Sequence, residues 1–145
     1  MNKEYSVRAI EKGVVIDHIP AGQGIKILNA LGNALHEKKM LIATYLNSRK
    51  CGRKDVIKLE NVVIPEESLR IVAVFAPDST VSIIQDFQVV KKEQVSLPQT
   101  IQEPFSCMNL KCISHKEMQY VNFSVKRLPK AIKLTCCFCE HPQTL

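Results

Sequence analysis

Apolar and polar positions alternate between two periods along the first two thirds of the chain. Tyr5 to Ile10 reads as a strand, with Tyr5, Val7 and Ala9 on one face. Val14-Val15-Ile16-Asp17-His18-Ile19 is a second apolar run, and Pro20-Ala21-Gly22 ends it. Ile25, Leu28, Leu31 and Leu35 then recur at helical spacing, which predicts an amphipathic helix from Gly24 to His36. Met40–Leu46 and Asp55–Ile64 read as strands joined by a polar turn containing Gly52. Pro65-Glu66-Glu67 starts a second helix, because proline fits the first turn and acids favour the positive end of the helix dipole. Leu69, Val72 and Phe75 of that helix are expected to face inward. Thr80–Ile84 and Phe87–Val90 close the series around Gln85-Asp86. The order is βαββαβ with a final hairpin, the ferredoxin-like α+β order.

The pattern breaks at Ser96–Pro104, where two prolines and several polar residues suit an extended linker. This sets expected units at residues 1–97 and 98–145. The second holds alternating strands at Tyr120–Val125 and Ala131–Thr135. A segment this short rarely folds on an apolar core alone.

Its cysteines offer the missing stabilisation. Cys107 and Cys112 form C-x4-C, Cys136 and Cys139 form C-x2-C, and twenty-three residues separate the pairs. Two such knuckles supply four soft donors to a tetrahedral Zn2+, and a shell of four thiolates makes the metal structural. The second unit is therefore expected to be a small all-β, zinc-ribbon-like domain. Cys137 is the spare thiol, while His115 and His141 lie near enough to be alternative ligands. Cys51 stands alone in a basic turn.

Charge changes the picture little. The chain of 145 residues carries a net charge of +6. Residues 1–97 hold 14 Lys+Arg against 11 Asp+Glu, and residues 98–145 hold 6 against 3, so neither unit dominates. The one tight basic cluster is Arg49, Lys50, Arg53, Lys54 and Lys58, which suits either phosphates or a solvated face. No apolar run spans a bilayer, and the N-terminus lacks the apolar core of a signal peptide, so a cytoplasmic location is expected. Asp17-His18 at a strand end reads as a ligand contact or a turn pair. Gly22-Gln23-Gly24 before a helix reads as a phosphate cradle or, better, a turn. No catalytic motif is present.

Three segments taken together resemble a known family. They are Val14-Val15-Ile16-Asp17-His18-Ile19-Pro20-Ala21, Gly52-Arg53-Lys54-Asp55-Val56-Ile57-Lys58-Leu59-Glu60-Asn61, and Asn109-Leu110-Lys111-Cys112-Ile113-Ser114-His115. Their order, the proline linker and the cysteine ending are similar to the regulatory chain of aspartate carbamoyltransferase. The resemblance implies a non-catalytic allosteric subunit in pyrimidine biosynthesis. It implies an N-terminal domain that binds CTP, ATP and, as a further candidate, UTP, and that pairs with a second copy of itself. It also implies a zinc domain that docks on the catalytic chain, so that regulatory dimers hold catalytic trimers together. The implied nucleotide contacts are Asp17, His18, Lys54, Lys58 and Lys92, with Val7, Ala9, Ile10, Val15, Phe87 and Val89 lining the base and sugar pocket. Neither membrane nor nucleic acid is an implied partner. The chain departs from familiar members at Arg8, Ser82, Phe87 and Lys91, residues that border the pocket and bear on effector choice. Two rivals remain on the residues themselves. One is a nucleic-acid-binding zinc ribbon that clamps with the basic cluster around Lys54 and the zinc module, although its one aromatic pair in a strand, Tyr120 and Phe123, alternates poorly for a stacking platform. The other is a zinc enzyme with an open coordination position.

Overall fold

The computed structural model describes residues 9–102, 104–117 and 120–145. The N-terminal elements are β1 (Gly13–Pro20), α1 (Gln23–Leu31), β2 (Met40–Ser48), β3 (Gly52–Glu60), α2 (Glu66–Phe75), β4 (Thr80–Gln85) and β5 (Gln88–Gln94). The strands form one antiparallel sheet in the order β2-β3-β1-β4-β5. With α1 and α2 as crossovers, this is the predicted ferredoxin-like arrangement, lengthened by the β4–β5 hairpin.

Alternation along the strands sorts the two faces. Val14 and Ile16 of β1, Ile57 and Leu59 of β3 and Val81 of β4 form one buried cluster with Ile27 and Leu31 of α1 and Val72 of α2. The residues between them, Val15, Asp17, Lys54, Lys58 and Ser82, therefore belong to the opposite face, away from the helices.

Of the expected row Leu28, Leu31 and Leu35 pack into the core, but Ile25 is exposed and Gly24 and Ile27 are buried in its place. The cause is Asp55. This carboxylate is wholly buried, and its Oδ2 accepts the amides of Gly22 and Gly24, both at 3.0 Å. Its Oδ1 accepts the Tyr45 amide at 2.9 Å. A Cβ on Gly24 would stand 2.9 Å from Asp55 Oδ2, so glycine lets the helix start sit on the carboxylate. The helix is turned about that anchor. It is also shorter than expected, passing into a 3-10 turn at Gly32–Leu35.

Other boundaries shift for local reasons. Pro65 precedes α2 in an extended conformation, capping the helix rather than lying within its first turn. Phe87 does not begin a strand. Asp86 and Phe87 both have positive φ, 50° and 65°, and form the two-residue turn between β4 and β5. Ala9 and Ile10 are described without strand pairing, while Tyr5 to Arg8 of the expected first strand lie outside the described residues.

The C-terminal domain is a four-stranded antiparallel sheet in the order β6-β7-β8-β9, from β6 (Thr100–Ile101), β7 (Phe123–Leu128), β8 (Ala131–Cys136) and β9 (Pro142–Thr144). Part of the proline-bounded linker thus joins the sheet as β6. Strand β7 begins at Phe123, so exposed Tyr120 precedes it. Helix α2 serves both cores. Val72 packs on the N-terminal sheet, Val74 packs with Ile101, Phe123, Ile132 and Leu134, and Ile71 packs against both clusters. That double contact explains why Ile71-Val72-Ala73-Val74-Phe75 is apolar all round. Phe75 and Phe105 rings also meet, with centroids 5.7 Å apart.

Candidate functional site

The four cysteines of the two knuckles converge. Their Sγ atoms all lie within 4.8 Å of one another, with Cys107–Cys139 at 3.5 Å and Cys112–Cys136 at 3.8 Å. Four sulfurs around one Zn2+ at about 2.3 Å would be separated by about 3.8 Å. The donor set therefore suits a single tetrahedral ion. The surroundings suit thiolates, since Ser114 Oγ donates to Cys112 Sγ at 3.2 Å and the Phe138 amide donates to Cys136 Sγ at 3.4 Å. Burial pushes the Cys107 thiol up to about 12. Burial also acts upward on Cys139, but the His141 amide and the Asn109 side chain outweigh it and bring this thiol down to about 6. Four anions cannot crowd together unaided, and a divalent cation removes that conflict.

Neither histidine competes for the ion. His115 Nε2 donates to the Cys107 carbonyl at 2.8 Å and so buttresses the first knuckle. His141 is exposed, and its carbonyl accepts the Cys136 amide at 3.0 Å. Cys137 is exposed and lies outside the cluster, as does Cys51. Gln143 ties β9 to the first knuckle, accepting from the Met108 amide and donating to the Ser106 carbonyl. Phe123, one of the two aromatics available for base stacking, is fully buried.

The second grouping lies on the open face of the N-terminal sheet. The strand register aligns Lys58 with Val15, Val15 with Ser82, and Ser82 with Lys92. Directly paired residues of antiparallel strands share a face, so four strands carry one row ending in a lysine at each side. The two adjacent lysines separate in the same register. Lys92 belongs to the row, whereas Lys91 pairs with Ile83 of the helix-covered face and contacts Glu93 at 3.3 Å.

Asp17 sits one step along from Val15 on this face, and its Oδ1 meets Lys54 Nζ at 2.8 Å. Between Ile16 and Ile19 the β1–β3 register slips, and His18 takes a positive φ of 59°. This bulge re-aims the imidazole, whose Nδ1 shares a 3.1 Å hydrogen bond with Thr80 Oγ1. Burial acts to raise the Asp17 carboxyl, but the hydrogen bond from Lys54, the His18 amide and the Lys54 charge together hold it below 3.8. Burial lowers His18; Asp17 opposes this, and Lys54, Lys50 and Lys92 add to it. Lys58 is lowered by burial, against the pull of Asp17.

Ile10 is buried and Ala9 exposed, and the segment runs beside the β4–β5 turn, where the Phe87 amide donates to the Glu11 carbonyl at 3.0 Å. Phe87 and Val89 are exposed there. Val7 lies outside the described residues. The basic cluster divides: Lys54 and Lys58 join this face, while Arg53 stacks over Tyr45 and donates to Asn47. Thr80 escaped the sequence reading, although its place opposite Asp17 in the register is the signal that would reveal it. The Gly22-Gln23-Gly24 cradle is not open to a phosphate, because Asp55 takes the Gly22 and Gly24 amides.

A cationic sheet face joined through a shared helix to a four-thiolate module defines a two-domain chain that binds a structural metal. Family models cover nearly all of it. The aspartate carbamoyltransferase regulatory chain allosteric domain matches residues 5–96, and the metal-binding domain of the same chain matches residues 99–145. Similar proteins include the aspartate carbamoyltransferase regulatory chains of Chromobacterium violaceum, 44% identical over 93% of this chain and 89% of that one, and of Tolumonas auensis, 43% identical over 98% and 92%. That of Aeromonas hydrophila is 42% identical over 97% and 92%. The chain belongs to the aspartate carbamoyltransferase regulatory chain family. It is a non-catalytic subunit with an allosteric and a metal-binding domain, and its partner is the catalytic chain. Among the described residues no helix is long and apolar enough to cross a membrane.

Proposed function

We propose that residues 1–97 bind free nucleoside triphosphates, CTP and ATP with UTP as a further candidate, on the open face of the sheet. Residues 98–145 hold one Zn2+ and dock on the catalytic chain. The observation that carries the effector site is the row Lys58–Val15–Ser82–Lys92 with the Asp17–Lys54 pair beside it. Lysine ammoniums meet phosphate and sugar oxygens as compact charges. The Asp17 carboxylate accepts from ribose hydroxyls. The Ala9–Ile10 segment, Phe87 and Val89 lie at the far side, where a base would rest against apolar atoms and strand backbone; Val7 would join them. His18, held neutral among lysines, gains a favourable partner when a triphosphate arrives.

Two exposed surfaces support the assembly. Edge strand β2 presents Met40, Leu41 and Tyr45, a surface suited to a second copy of the chain. Met108, Leu110 and Ile113 are exposed around the first knuckle, where the metal fixes the loop that would meet the catalytic chain. In this reading regulatory dimers join catalytic trimers in the cytoplasm. Effector binding acts by differing in strength between two quaternary states. Burial of Phe123 withholds one of the two strand aromatics from a polynucleotide, and a complete thiolate shell leaves no open position for zinc catalysis.

The test is calorimetric titration of the zinc-loaded chain with CTP and ATP, with Lys58→Ala as control. Saturable binding that the substitution weakens by about tenfold is expected. Absence of binding to the unmodified chain would refute the effector site and leave a docking subunit without nucleotide control.

A further inference from the structure

The β2–β3 turn carries a lysine, Lys50, outside the row from Lys58 to Lys92. Lys50 Nζ donates to the main-chain carbonyl of Asp78 at 3.5 Å, a long and exposed bond. Asp78 lies two residues before Thr80, the hydrogen-bond partner of His18. Lys50 also shares the rim of one surface depression with Pro20, Gly52 and Asp78. It therefore stands at the His18 end of the sheet, and its charge reaches the imidazole together with those of Lys54 and Lys92. These lysines differ in what holds them. Lys54 meets the Asp17 carboxylate at 2.8 Å, whereas Lys50 meets a neutral carbonyl at the limit of hydrogen bonding. The Asp78 side chain is engaged elsewhere. Arg127 of the metal domain donates to both its carboxylate oxygens, at 3.1 and 2.6 Å.

We infer that Lys50 is a further phosphate ligand of the effector site, exchanging the Asp78 carbonyl for the outer phosphates of a bound nucleoside triphosphate. The inference rests on the nucleotide reading above. Bonds from an ammonium to phosphate oxygens are stronger than a bond to a neutral carbonyl, so the exchange is favourable. The flexible lysine stem lets it happen without moving the sheet. A nucleoside monophosphate lacks the outer phosphates and leaves Lys50 where it is. Because Asp78 is the residue gripped by Arg127, the exchange also links effector occupancy to the metal domain through a single loop.

The experiment titrates the zinc-loaded full chain and Lys50→Met with CTP and with CMP, after matching their thermal midpoints. CTP should bind the variant about tenfold more weakly, while CMP changes by no more than about twofold. Equal weakening of both ligands, or unchanged CTP binding, overturns the assignment. A wild-type chain that binds neither nucleotide overturns the effector site itself, a separate and prior failure. For the link, saturating CTP should change the rate of zinc transfer to a chelator by about twofold or more in the wild type and not in Lys50→Met. No change in the wild type, or a change retained by the variant, overturns the link.

Discussion

The two domains reach order by different means. In the N-terminal domain Ile16, Ile19, Ile27, Ile57, Leu59 and Val72 are each sealed from solvent, drawn from two strands and two helices. In the C-terminal domain Phe123 and Leu134 are the large apolar side chains buried to that degree, and three of the residues completing the cluster are metal-binding cysteines. Burial near 25 cal/mol per Å2 sustains the first. The second has too little apolar surface to offset its conformational entropy and uses coordination instead. The lesson is that one chain contains a domain whose stability is distributed and one whose stability is concentrated at a point.

The largest break in that comparison is removal of the metal. A strong chelator, or Cys112→Ser, should unfold residues 98–145 and release the catalytic chain, because structural zinc contributes on the order of 10 kcal/mol in small modules. Amide hydrogen exchange should show protection lost from β7 and β8 and retained in β1 and β3. Val74 faces the lost core, so exposing it should cost the N-terminal domain about 1–2 kcal/mol as well. A Cys112→Ser chain that kept its C-terminal protection would show the four-thiolate site to be dispensable.

A smaller break tests the distributed domain at its one concentrated feature. Asp55→Ala removes the acceptor of three amides, those of Gly22, Gly24 and Tyr45. Buried donors left unpaired should lower stability by about 3 kcal/mol or more. The expected readout is a lower denaturation midpoint for β1–β5 with the metal still bound. A loss within about 0.5 kcal/mol would mean that water replaces the carboxylate freely.

Asp55 also shows what the sequence hides. Period and punctuation placed both helices and every strand of the N-terminal sheet that the structure describes, because sheet alternation and helix spacing are local properties. The four thiolates were legible for the same reason: each knuckle is a short local spacing. Asp55 looked like the start of a strand, since nothing in its neighbourhood records that a helix thirty-odd residues earlier rests on it. Ile25 was misplaced as a consequence. Phe87 was misread because positive φ at two successive turn residues is usual for Asn or Gly, not phenylalanine. The row from Lys58 to Lys92 depends on strand register, which sequence spacing within one strand does not specify. Thr80 lies opposite Asp17 only in that register, and Lys50, already part of the basic cluster, reaches Asp78 only in the fold.

The finest test uses His18. His18 sits among lysines with its pKa depressed below 6.5, first by burial and then by those charges. A lowered folded value means the unfolded chain takes up the proton first as pH falls. Stability from this group is therefore full above pH 6.5 and lost as pH drops through the depressed value. Asp17 gives a second, separate window below 3.8, because its folded value is also lowered. His18→Gln should flatten the first window and leave the second. Bound triphosphate brings negative charge to His18 and should move its titration upward. Proton NMR of the His18 imidazole C–H signals, with and without CTP, measures the move. An upward move would place the phosphates at the bulge of β1. A His18 midpoint that stayed fixed or fell on adding CTP would remove the phosphates from that end of the sheet, and with them the reason for three lysines to gather there.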